Sequence, residues 1–266
     1  MSGSPPFPDI DTTVPHSARI YDYWLGGKDN YPVDREMGEQ IRAVLPGIVE
    51  MARDQRAFLA RVVRHLAGDM GVRQFLDIGT GLPTANNTHQ VAQAVAPECR
   101  IVYVDNDPLV LTHARALLQG TPEGATDYID ADLRDPDKIL QVAAETLDFS
   151  QPIAIMLLGI VHHIPDSDRA HAIVDQLIDA VPSGSYLTIT HTTSTVTGPA
   201  MEEAVRMWNE ASPVPIVIRT PQEVAGFFAR LEVLEPGVVQ TTQWRPDPSD
   251  QDIREVDEYC AVGRKP

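Results

Sequence analysis

Phe75-Leu-Asp-Ile-Gly-Thr-Gly-Leu-Pro-Thr84, FLDIGTGLPT, carries a buried strand straight into a glycine turn, with one acid near the strand end. Gly79 and Gly81 let the backbone turn tightly and come close to a ligand. A helix is expected to begin near Thr84, with its free N–H groups facing the same crevice. Glycine turns after strands are common, so this one takes its meaning from the next two strands. Ile101-Val-Tyr-Val-Asp-Asn-Asp107 is a second strand ending at Asp105, 28 residues after Asp77 and 24 after Gly81. An acid in that place can accept from the two hydroxyls of a ribose. Asp107, before Pro108, fits the cap of the next helix and leaves Asp105 for a ligand. Tyr128-Ile-Asp-Ala-Asp-Leu-Arg134 closes a third strand. Asp132 there can accept from the exocyclic amine of adenine, with the backbone of Ala131 and Leu133 against the ring; Asp130 competes for the role.

Three acids at three successive strand ends separate two cofactor classes. A dinucleotide site needs G-x-G-x-x-G under a pyrophosphate. Here the third glycine position is Thr84, and Asp77 stands just before the turn. A carboxylate repels a pyrophosphate but attracts the ammonium and sulfonium end of S-adenosylmethionine. S-adenosylmethionine is therefore expected rather than NAD. Its candidate binding set is Asp77, Gly79, Thr80, Gly81, Asp105, Asn106, Asp132 and Leu133.

The rest of the chain alternates in a way that suits this reading. Candidate strands are 73–78, 101–105, 126–130, 153–159, 185–192, 231–241 and 257–263. Helices are expected at 84–96, 107–119, 135–146, 167–181, 198–211 and 221–230, the last opened by a Thr220/Glu223 capping box. Such alternation predicts a parallel sheet covered on both faces, its last two strands an antiparallel hairpin at one edge. Residues 1–70 carry no strand signal and form a helical cap: 14–25, 32–45 and 48–67, after a Pro- and Ser-rich start over 1–12 that is expected to be loose. The sheet domain then spans 71–266, with an insertion over 193–220 at the carboxyl end of a strand, the edge at which open α/β sheets bind ligands.

The run from Asp77 to Asp132 resembles the class I S-adenosylmethionine-dependent methyltransferases, over residues 73–134. Leu157-Leu-Gly-Ile-Val-His-His-Ile-Pro-Asp166 is similar to their fourth-strand motif. A narrower resemblance runs over nearly the whole chain. Pro15-His-Ser-Ala-Arg-Ile-Tyr-Asp-Tyr-Trp-Leu-Gly-Gly-Lys-Asp-Asn-Tyr31, DIGTGLPT, and Glu235-Pro-Gly-Val-Val with Trp244-Arg-Pro resemble an actinobacterial methyltransferase-like family, a domain of unknown function. The resemblance implies a Rossmann-like seven-stranded sheet with an antiparallel last strand. It implies no particular acceptor.

Several residues admit two readings. The aromatic segment from Tyr21 to Tyr31 is either an amphipathic helix packed on the sheet domain or a lid, with Arg19 or the Tyr21 hydroxyl reaching the methionine carboxylate of the cofactor. His162 and His163 follow the fourth strand. They serve as strand-end structure, as a weak metal pair without an HExxH or carboxylate partner set, or as a catalytic base, since neutral imidazole suits proton removal near pH 7. On an extended segment only one of the two would face the site. His191, Thr192 and Thr193 either line an acceptor pocket or cap the following helix. Trp208, Phe227 and Phe228 read as core. Ser194 lacks a G-x-S-x-G setting, which disfavours a hydrolase.

Composition narrows the partners. The 266 residues are 43% hydrophobic and carry a formal net charge of −17, with no run of Lys or Arg. Nucleic acid is a disfavoured partner. Cys99 and Cys260 form no CxxC pair, which argues against a disulfide framework or a cysteine zinc site. No signal peptide and no membrane-spanning run are recognisable, so a cytoplasmic protein is expected. The expected activity is methyl transfer to a small-molecule acceptor. The rival is a regulatory protein that binds S-adenosylmethionine or S-adenosylhomocysteine without transfer.

Overall fold

The computed structural model of the protein describes residues 10–110, 112, 120–247 and 253–266. Three helices come first: α1 (Ser17–Trp24), α2 (Pro32–Val44) and α3 (Ile48–Gly68). Strands β1 (Gln74–Ile78), β2 (Arg100–Asp105), β3 (Ala125–Asp130), β4 (Ala154–Leu158) and β5 (Tyr186–Thr192) follow, with α4 (Thr88–Val95), α5 (Pro136–Ala143) and α6 (Ser167–Ala180) between them. Then come α7 (Pro199–Ala211), α8 (Pro221–Gly226), β6 (Glu232–Val233), β7 (Val239–Gln240) and β8 (Glu258–Arg264). Pro108–Val110 and Thr112 are helical; the remainder of the helix expected over 107–119, like residues 1–9 of the loose start, lies outside the described residues.

The strand order is β3-β2-β1-β4-β5-β8-β6, with β7 also paired to β8. β1 to β5 are mutually parallel, and β8 runs antiparallel to β5 and to both short strands. The sheet is thus mostly parallel with an antiparallel last strand, as the alternation predicts. One detail differs. The strand expected over 231–241 comes as two two-residue pieces on the same edge of β8, parted by a turn in which Gly237 N donates to Leu234 O at 2.9 Å. Pro236 inside that run has no N–H to give the ladder, so pairing cannot be continuous there.

Period-two burial splits β1 between two cores. Leu76 and Ile78 face α5 and α6, among Ile139, Ala143, Ile173 and Leu177. Phe75 faces α3 and α4, among Phe58, Val62, Leu66 and Ala92. Phe227 and Phe228 are buried in the first of these, as expected. A third cluster joins Ile20, Met37, Ile41, Leu45 and Ile48 to Met201, Ala204 and Trp208. The N-terminal helices and the 193–220 insertion therefore share one core above the carboxyl edge of the sheet. The insertion is tied down at its root: Asp257 accepts from Val196 N (2.7 Å) and Thr197 N (2.8 Å), and Thr193 N donates to Asp257 O (2.8 Å).

Among the described residues no helix is long and apolar enough to cross a membrane.

Candidate functional site

The chain order reverses between β1, which leads to β2 and β3 on one side, and β4, which leads to β5 on the other. Ligands of open α/β sheets bind at this switch point. A cavity of about 460 Å³ opens there. One end is polar and formed by the strand ends: Asp77, Gly79, Thr80, Gly81, Asp105, Asn106, Asp132 and Leu133 all line it. The other end is apolar, with Ile41, Leu45, Ile48, Met201, Trp208 and Ile216.

The glycine turn is required by geometry. Gly79 and Gly81 have φ of +78° and +64°, where side chains are disfavoured. A Cβ on Gly79 would also lie 2.6 Å from Ile160, whereas beside Gly81 the nearest atom is Ala18 Cβ at 3.9 Å. The space over Gly81 is the space a ligand needs. Asp105 accepts from Gly81 N at 2.8 Å and from Asp107 N at 2.9 Å, so it braces the turn while facing the cavity. Burial raises its carboxyl above the ordinary range. Asp107 caps the next helix through Leu109 N (2.8 Å), as the sequence suggests. Asp77 is buried and accepts from the Thr88 hydroxyl at 2.6 Å. Burial pushes it up to about 6, against the pull of Thr88 and of Arg56.

The third acid is differently placed. Asp130 is exposed and does not line the cavity, which leaves Asp132 as the only one of the two that does. Oδ1 of Asp132 accepts from Arg134 N and Nε, both at 2.8 Å. Its Oδ2 accepts from Arg134 Nη2 at 2.7 Å and Asn106 Nδ2 at 3.0 Å. Burial opposes ionisation, yet these bonds and the Arg134 charge hold the carboxyl below its ordinary range. Four donors fill the four lone-pair sites of a carboxylate. An adenine amine could bind Asp132 only by displacing one of them. Helix α4 begins at Thr88, not near Thr84, because Asn87 takes the cap position and its Oδ1 accepts from Thr84 N at 3.1 Å.

The N-terminal helix is docked along its length. The Tyr21 hydroxyl donates to Ala52 O (2.9 Å), Trp24 Nε1 to Gly38 O (3.2 Å) and the Tyr23 hydroxyl to Glu39 (2.7 Å). The polar loop after it is explained by Asp22, whose carboxylate accepts from Asp29 N (3.0 Å) and Asn30 Nδ2 (2.8 Å). Arg19 lines the cavity, but its guanidinium donates to Asp11 O and Val14 O and its Nε faces Asp34 and Asp107. Its charge is spent pinning the N-terminal segment to the sheet edge. A second cation in the wall is Arg56 on α3. It lines the cavity beside Asp77, its Nη2 donates to Ala85 O (3.1 Å) and Asn86 O (2.9 Å), and its buried Nε, like that of Arg19, has no hydrogen-bond partner.

The histidines separate. His162 and His163 sit in a 3₁₀ turn (Val161–His163), so the opposite-facing rule for extended residues does not apply. Both line the cavity, with ring centroids 4.5 Å apart. Burial lowers His162 well below the ordinary imidazole value and His163 to about 4. His191 is not in the cavity wall. It is fully buried, with Nδ1 2.8 Å from Thr192 O and Nε2 2.9 Å from Arg219 Nη1. Arginine can only donate, so Nε2 accepts and Nδ1 donates, and His191 is a neutral structural residue. Thr192 lines the cavity, while Thr193 turns to Asp257. Among the described residues no group of three or more His, Cys, Asp or Glu is arranged to hold a metal ion.

Two wall residues besides Arg56 escape the sequence reading. Glu258, at the start of β8, is buried and pairs in register with Thr192. Gln55 Nε2 on α3 donates to Glu258 Oε1 (2.5 Å) and to the Thr190 hydroxyl (3.0 Å). The available signal is an acid opening an otherwise apolar strand, and it acquires meaning only once β8 is laid against β5.

A glycine cradle, buried acids and an unpaired arginine nitrogen around one switch-point cavity fit the glycine-turn, ribose and methionine ends of S-adenosylmethionine. The fold and site define an S-adenosylmethionine-dependent methyltransferase. Within that class, the chain belongs to the S-adenosyl methyltransferase family whose model matches residues 4–266. It is similar to a DUF574 family protein of Streptomyces avermitilis of known crystal structure, with 45% identity and a TM-score of 0.94 over 97% of this chain and 100% of the other. A candidate methyltransferase of Thermobifida fusca shares 43% identity, with a TM-score of 0.87 over 99% of each chain. An S-adenosylmethionine-dependent methyltransferase of Anabaena variabilis, 15% identical with a TM-score of 0.51 over 76% of this chain and 80% of its own, is alike in fold alone. No curated protein matches the chain in sequence.

Proposed function

We propose that the enzyme methylates a small, largely apolar molecule held between the N-terminal helices and α7. The observation that carries this reading is the continuity of the cavity, which runs from Gly81 and Asp105 to Ile41, Met201 and Trp208 without a dividing wall. A protein that only sensed the cofactor would have no use for a second, apolar compartment. Bound S-adenosylmethionine supplies a methyl group on a good leaving group, so the chain must chiefly orient the acceptor and keep water out. In this reading Asp105 holds the ribose, and Gly79, Thr80 and Gly81 approach the cofactor with backbone. Leu133 and Asn106 flank the adenine end. Asp77 faces the cationic end of the methionine moiety, and Arg56 its carboxylate. Tyr21 and Ala18 close the wall over the site.

Calorimetric titration with S-adenosylmethionine, and separately with S-adenosylhomocysteine, tests the reading. Saturable one-to-one binding of both is expected. Loss of that binding in Arg56→Met, with the fold intact, would assign the carboxylate partner. Absence of binding to the wild type would break the reading.

A further inference from the structure

We propose that Glu258 is the acceptor-side carboxylate of the cavity: it engages the amino group of an apolar amine and takes a proton from that nitrogen as it is methylated. The proposal rests on the methyltransferase reading above and names its substrate class.

Glu258 is 4% exposed yet lines the cavity. It reaches the wall from the antiparallel hairpin, opposite Thr192, where β5 ends and β8 begins. Its scaffold is neutral: Gln55 donates to it, and the Thr190 hydroxyl lies within the same hydrogen-bonded group. No Lys, Arg or His among the described residues forms an ion pair with it. The charge felt most from nearby is another acid, Asp54, itself held by Arg254 at 2.7 Å. Tyr21 from α1 and Cys260 from β8 both feel Glu258 and are kept neutral by burial; the cations nearest this group are Arg56 and Arg61 of α3, the first felt by Tyr21 and the second by Cys260, and neither charge is among those that shift Glu258. A buried carboxylate without a counter-ion is costly. A ligand ammonium would supply the missing charge, and the apolar wall beyond would take the rest of the molecule.

The same residue is the better base. Burial, opposed by Thr190 and Gln55, lifts Glu258 to about 7, while burial drives His162 and His163 the other way. Proton transfer is most effective when the accepting group titrates near working pH. The amine binds as an ammonium against ionised Glu258. One N–H proton passes to the carboxylate and frees the nitrogen lone pair. That pair forms the N–CH₃ bond as the C–S bond breaks, its electrons remaining on sulfur as S-adenosylhomocysteine. The methylated product leaves as a cation, and the proton on Glu258 returns to water.

The test uses S-adenosylhomocysteine-saturated protein with two probes of one shape, 2-phenylethylamine and 2-phenylethanol, titrated by calorimetry at pH 8. The amine is expected to bind at least about tenfold more tightly than the alcohol, a difference of about 1.4 kcal/mol. In Glu258→Gln that ratio should fall towards one while S-adenosylhomocysteine affinity stays within about twofold, far below a tenfold effect. Equal binding of the two probes, no binding of the amine, or a preference that survives Glu258→Gln overturns the proposal. Should that variant not fold, the wild-type ratio is followed from pH 8 to pH 5.5, where the amine stays protonated. It should fall as Glu258 takes up its proton; a flat ratio overturns the proposal. Wild type that fails to bind S-adenosylhomocysteine breaks the underlying reading as well, whereas binding without amine preference breaks this inference alone.

Discussion

The two ends of the cavity are built on different principles. At the polar end, three successive strand ends deliver Asp77, Asp105 and Asp132, each carboxylate already held by a backbone N–H, a hydroxyl or a guanidinium. At the apolar end, the wall is assembled from α1, α2, α3 and α7, joined mainly by side-chain packing and, from α1, by the Tyr21, Tyr23 and Trp24 hydrogen bonds to α2 and α3. One end is shaped by backbone turns that tolerate little change, the other by interdigitated Ile, Leu, Met and Trp whose volume can be altered one residue at a time. The difference teaches where rigidity and adaptability lie in one pocket: under the proposed function, the cofactor would meet fixed backbone and the acceptor exchangeable side chains.

Four experiments sharpen or break that contrast. The largest effect is expected from Trp208→Ala. Its buried ring joins α7 to the N-terminal helices, and its loss should cost about 3–5 kcal/mol of stability in chemical denaturation. S-adenosylhomocysteine affinity should change by less than about tenfold, or 1.4 kcal/mol; a larger change would mean that the two ends are not independent. Asp105→Ala should weaken that affinity by roughly 1.5–3 kcal/mol if the carboxylate binds ribose as a charged acceptor, and unchanged affinity in the folded variant would refute the assignment. Third, Glu258 should make stability fall with pH. Its folded-state value is raised from 4.5 to about 7, so its contribution is fully present below about 4.5 and is lost as pH rises to about 7. Glu258→Gln should therefore be more stable than wild type at pH 8, by on the order of 3 kcal/mol, and lose that advantage near pH 4.5; a gain that does not vary with pH would contradict the cause. The smallest effect belongs to Tyr21→Phe, which strands Ala52 O and should cost about 1 kcal/mol. A faster release of S-adenosylhomocysteine in stopped-flow would show that α1 moves as a lid, and an unaltered rate would make it a fixed wall.

The same division explains what could be read from the sequence. The polar end was legible because its signals are local: a glycine turn, and acids that come within a few residues of strand ends. The parallel sheet and its antiparallel edge follow from alternation, though the strand order does not, and the Thr220/Glu223 box closes as expected, with Thr220 N donating to Glu223 at 2.7 Å. What the sequence leaves open is what tertiary partners decide. His191 ends a strand, where pocket and cap are equally open readings, and Arg219, 28 positions away, takes its accepting nitrogen. Arg19 lines the cavity, as a cofactor contact should, but its neighbours Asp34 and Asp107 come from elsewhere in the chain. Gln55 and Glu258 lie 203 residues apart, and no local pattern could pair them.

The clamp at Asp257 has a consequence for redesign. Because this carboxylate fixes the turn at 193–197 next to Glu258, the insertion has a rigid root and a replaceable body. Positions of 198–216 other than Met201, Ala204 and Trp208, which are buried against the N-terminal helices, can be varied as a cassette while the root keeps its register with β8. A library confined to those positions would reshape the apolar end of the cavity without unsettling the strand ends at the polar end.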